Sequence, residues 1–114
     1  MRKGQVAYKL MLLCMALSAC TANQEALQSE CKQGIGEACN KLGQELDSSN
    51  KKDAERLFQK ACDLQNTNGC VRLADMVKNT DFEKAYSVLK SSCDRGNTSV
   101  CVKQAELLQE RGKK

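Results

Sequence analysis

Between residues 54 and 62 the apolar side chains Ala54, Leu57, Phe58, Ala61 and Cys62 fall at i, i+3, i+4, i+7 and i+8, one face of an α-helix. Phe82, Ala85, Tyr86 and Leu89 repeat the pattern further along. A second set of stripes alternates with these: Leu42 and Leu46, then Leu73, Ala74 and Val77, then Ala105 and Leu108. No stretch sustains the period-two alternation of a strand. The pattern predicts six helices, near 22–32, 36–47, 52–63, 68–78, 81–93 and 98–111. Asp53 and Asp81 stand near predicted helix starts, where an acidic side chain satisfies free backbone N–H groups. Gly34, Gly69 and Gly96 are assigned to turns, where the backbone must reverse.

The helices come in register. Cys31, Cys62 and Cys93 are spaced by one constant interval, Cys39, Cys70 and Cys101 by the same interval, and each second cysteine follows its first by eight residues. A fixed period of this size is the signature of a solenoid in which each unit is one helical hairpin. The fold class expected is therefore all-α, a short α/α solenoid of three disulfide-linked hairpins. The units lie near 22–50, 51–80 and 81–114.

The cysteine spacing has a physical reading in that frame. Helices packed 8–10 Å apart, with each Cα about 2.3 Å off its axis, bring facing Cα atoms to about 4–6 Å, within reach of a disulfide. Six cysteines permit fifteen pairings and sequence alone does not choose among them. The constant spacing favours Cys31–Cys39, Cys62–Cys70 and Cys93–Cys101. Zinc is the rival, but the chain has no histidine and no C-x-x-C, so no metal site is assigned, and no cofactor. Each short closed loop is worth roughly 2–3 kcal/mol on the chain-entropy model. In a chain with only two Phe and two Tyr, that is a large share of what holds a small domain together.

The first residues carry a different signal. Arg2, Lys3 and Lys9 precede the apolar run LMLLCMAL (10–17), which is too short to span a bilayer as a helix, and then LSAC at 17–20. This resembles a bacterial lipobox. The resemblance implies a signal peptide over 1–19, cleavage before Cys20, and acylation of Cys20, with residues 20–114 forming the exported domain. Several acyl chains anchor stably where one holds only marginally. Thr21 after the lipid cysteine, rather than Asp, directs the expectation to the periplasmic face of the outer membrane. Export to an oxidising compartment also agrees with the six remaining cysteines. Loss of residues 1–19 leaves fifteen Lys and Arg against fourteen Asp and Glu, so the overall formal charge of +4 overstates basicity. With no basic stripe interleaved with aromatics, nucleic acid is not an expected partner.

The segments KDAERLFQKAC, ACDLQNTNGCVRLADM, FEKAYSVLKSSC and CDRGNTSVC, together with KLG at 41–43, resemble Sel1-like repeats of the Hcp-type cysteine-rich branch across residues 22–114. The resemblance implies a right-handed, TPR-related solenoid that grips a protein or peptide partner on its concave face. The connections DSSN and KNT are shorter than that family's usual glycine-rich segment, which implies a different curvature. Some members of that branch are labelled penicillin-binding proteins or β-lactamases, so an enzymatic alternative is carried. S-x-x-K occurs at Ser48–Lys51 and at Ser87–Lys90, but two such matches in a chain with eight serines are close to chance, and no S-D-N or K-T-G follows. No catalytic residue is assigned. A third alternative is an immunity lipoprotein against a delivered toxin. Lys41, Glu45, Arg72, Lys103 and Gln104 are expected on the second-helix face, none of them singled out as a binding residue.

Overall fold

A computed structural model of the chain describes residues 19–112, with side chains described from Asn23. The expected signal segment, except for Ala19, the side chain of the expected lipidation site Cys20, and the terminal Lys113 and Lys114 lie outside the described residues. The described chain is helical throughout: α1 (Ala19–Lys32), α2 (Gly36–Leu46), α3 (Lys51–Asp63), α4 (Thr67–Val77), α5 (Phe82–Asp94) and α6 (Thr98–Gly112). Five of the six begin and end within one residue of the predicted bounds. The exception is α1, which starts three residues earlier than the apolar pattern indicated.

Each successive pair packs as an antiparallel hairpin, and the hairpins stack in order. The second helices also touch one another, α2 against α4 and α4 against α6, which places them on the closer-packed side of the stack. One core cluster lies between the first and second hairpins, around Leu27, Cys39, Leu42, Leu57 and Ala61. A second joins the remaining hairpins, around Phe58, Leu73, Ala85, Leu89, Val100 and Leu107. Successive units supply Leu27, Phe58 and Leu89 at one register, all buried.

The expected stripe on the last helix is corrected. Val100 and Leu107 are the buried residues of α6, while Ala105 is exposed and Leu108 is 47% exposed. The registers of Ala105 and Leu108 face the open end of the described stack, where no hairpin packs on them. Leu107 instead turns back onto the preceding units.

The three turns share one design. At each, the amide of the third residue past the helix donates back to a carbonyl five residues earlier: Ile35 to Glu30 at 3.1 Å, Asn66 to Ala61 at 2.9 Å and Asn97 to Ser92 at 3.4 Å. This is the Schellman closure, and it requires a left-handed residue just before. Gly34 (φ +95°) and Gly96 (φ +101°) fill that position in the outer units, and Gln65 (φ +65°) fills it in the middle one. Gly69, expected in a turn, instead lies inside α4. A Cβ there would come within 2.5 Å of the Ala61 Cβ, so its glycine serves the close approach of α3 and α4.

The starts of α3, α4 and α5 are capped by side chains, which satisfy free backbone N–H groups there. Asp81 accepts from the Lys84 amide at 3.0 Å, and Asn66 accepts from the Gly69 amide at 2.8 Å. At α3 the cap is Asn50, which accepts from the Asp53 amide at 3.2 Å. Asp53, expected near the helix start, sits in the first turn and receives the Asn50 side-chain amide at 2.8 Å.

Candidate binding face on the second helices

The disulfides sit where each first helix hands over to its second. Cys31–Cys39, Cys62–Cys70 and Cys93–Cys101 are all formed, with Cα separations of 4.7, 4.5 and 4.8 Å. Their burial differs. Cys31 and Cys39 are 3% and 0% exposed, whereas Cys93 and Cys101 are both half-buried. Among the described residues no group of three or more metal-binding side chains comes together. No described helix is long and apolar enough to cross a membrane.

The stapled hairpins hold the second helices in fixed register, and the repeat places matching side chains along them. Lys41, Arg72 and Lys103 occupy one register on α2, α4 and α6, and all three are exposed. Lys41 pairs with Glu37 at 3.6 Å and Lys103 with Glu106 at 3.6 Å. Arg72 makes no ion pair among the described residues. Surface pairs of this kind contribute little to stability, so these charges are available to a partner at small cost. Glu45 is also exposed and accepts from Asn23 across to α1 at 2.9 Å. Gln104 is half-buried, at the register where Leu42 and Leu73 are buried in the earlier units.

Two of the depressions on this side involve α4. An open groove of about 360 Å³ between the α2–α3 connection and α4 is lined by Asp47, Lys51, Phe58, Arg72, Asp75 and Met76. A smaller one, about 70 Å³, lies between α4 and α6, with Ala74, Asp75, Lys78, Lys103 and Glu106 among its walls. Both are polar at the rim and shallow, which suits side chains of another protein better than an enclosed small molecule.

The chain matches no known family model, and no curated protein or solved structure matches it.

The two S-x-x-K segments are placed as follows. Ser48 is exposed in the α2–α3 connection, and Lys51 is held by Asp47 at 3.0 Å. Ser87 is exposed on α5, and Lys90 donates to Asp94 at 2.8 Å. That hydrogen bond, with the attraction of the same carboxylate, raises the Lys90 pKa above its ordinary value. A lysine acting as a base must instead be pushed down towards neutrality. Neither lysine is arranged to take a proton from its serine.

The sequence did not single out Asn40, whose register in the other units holds Val71 and Val102. It is 3% exposed, and its Oδ1 has no hydrogen-bond partner. Comparing the three units position by position is the signal that finds it.

Proposed function

We propose that the protein is a lipid-anchored envelope protein whose stack of Sel1-like hairpins serves as a docking module for a protein or peptide partner. The single observation that carries this reading is the second-helix face: three helices locked by disulfides present exposed cations in matching register beside open, polar-rimmed grooves. A surface fixed before binding loses little conformational entropy when a partner arrives. The lipobox-like LSAC and the oxidised cysteines support export and anchoring. Hydrolysis draws no support from the serine–lysine pairs described above.

The test is capture from membranes in mild detergent, comparing the wild type with the triple variant Lys41→Glu, Arg72→Glu, Lys103→Glu. Helical circular dichroism serves as the control for folding. A partner retained by the wild type and lost by the folded variant supports the reading. Identical capture profiles for the two overturn it.

A further inference from the structure

The antiparallel order of the helices gives the stack two unlike edges. The three stapled turns, 33–35, 64–66 and 95–97, lie along one. The N-terminus of α1, the connections 47–50 and 78–81, and the C-terminus of α6 lie along the other. Which edge meets the bilayer follows from how little chain separates Cys20 from the folded stack. Asn23 is only three residues on and already donates to Glu45 of α2 at 2.9 Å. Leu27, 8% exposed, is the first buried core residue.

Three residues span at most about 10 Å when fully extended and about 5 Å as helix. The helices themselves run roughly 16–22 Å from edge to edge at 1.5 Å per residue. A tether so much shorter than the helices cannot let the stack turn over. To bring the disulfide turns to the lipid, Cys20 would have to rise above the headgroups by more than its tether allows.

We propose that, with Cys20 acylated, the connection edge is seated on the phospholipid headgroups and the disulfide-turn edge is the one presented to the aqueous side. The proposal rests on the anchoring put forward above. The tether, not charge, sets this arrangement: along the connection edge Lys51, Lys78, Lys84 and Arg111 pair with Asp47, Glu110, Glu55 and Glu83, so the edge carries no cationic excess. The exposed apolar side chains Ile35 (44%) and Leu64 (39%) belong to the turn edge and so stay in water, clear of the bilayer.

The experiment uses the full chain, purified from membranes and reconstituted into vesicles of phosphatidylethanolamine and phosphatidylglycerol that carry a headgroup nitroxide quencher. A fluorescent side chain is introduced at Asn79, on the connection edge, or at Gln33, on the turn edge; both positions are exposed. Fluorescence at 79 is expected to fall by about twofold or more, with little change at 33, since roughly a helix length separates them. Equal quenching at both positions means a stack lying flat and overturns the proposal, as does stronger quenching at 33. The intact mass of the same preparation reads the anchoring separately. An unacylated chain that fails to enter vesicles overturns the anchoring reading, and this proposal with it.

Discussion

Gly43 and Phe58 form a pair whose sizes are matched, and substituting them together isolates that match. A Cβ at position 43 would lie 2.7 Å from Phe58 Cε1 and 2.9 Å from Cδ1. The ring is only 1% exposed, so a methyl added there meets a packed side chain. One unit later the same registers hold Ala74 and Leu89, both buried in one cluster. Glycine to alanine inside a helix normally stabilises by about 1 kcal/mol. Forcing a methyl into a packed ring costs about 1–3 kcal/mol. Gly43→Ala alone is therefore expected to destabilise by about 1 kcal/mol. In the Phe58→Leu background the obstruction is gone, and the same substitution is expected to stabilise by about 0.5–1 kcal/mol, recreating the pair of the next unit. The assay is a double-mutant cycle by urea unfolding, followed by helical circular dichroism with the disulfides intact. With a slope of about 1–3 kcal/mol per molar, the change of sign appears as midpoint shifts of a few tenths of a molar to about one molar. Additivity within about 0.3 kcal/mol, or stabilisation by Gly43→Ala in both backgrounds, would refute the reasoning.

Gln65→Gly is expected to stabilise by about 1 kcal/mol, because it relieves a left-handed residue at the position where the outer units carry glycine; a lowered thermal midpoint would contradict this. Asn40→Val should raise stability by about 1–3 kcal/mol by removing a buried carbonyl oxygen with no partner, checked by the same urea titration. Under mild reductant with timed alkylation and mass spectrometry, Cys93 and Cys101 should be labelled first and Cys31 and Cys39 last, following their exposure. Simultaneous labelling of all six would count against that order.

The architecture was legible because one covalent landmark recurs at a fixed interval and the apolar stripes between landmarks have helical period. Those two signals locate hairpins, turns and cross-links without any tertiary knowledge. Local chemistry was less legible. Glycine suggests a turn, yet Gly69 serves helix contact while Gln65 takes the strained turn position. Propensity points to the wrong residue at both places, whereas projecting Gly34 forward by one unit finds the right one. Likewise the cap of α3 is Asn50 rather than the acidic residue three positions on, because the residue just outside the helix is the one free to fold its side chain back. The candidate binding face was the least legible. A solvated lysine with an acidic neighbour three or four residues away reads the same whether or not a partner uses it. The cysteine interval already aligns Lys41, Arg72 and Lys103; what the stack adds is that all three are exposed.

Among the described residues every covalent cross-link closes a loop inside a single unit, and none joins one unit to the next. A protease that nicks one of the stapled turns therefore leaves both pieces tied together and the hairpin intact, whereas a cut at 47–50 or 78–81 severs the backbone where no sulfur bridges the gap. In an environment exposed to hydrolytic enzymes, survival of the whole is decided at those two connections. Seating them against a lipid surface would shield the places where damage cannot be contained.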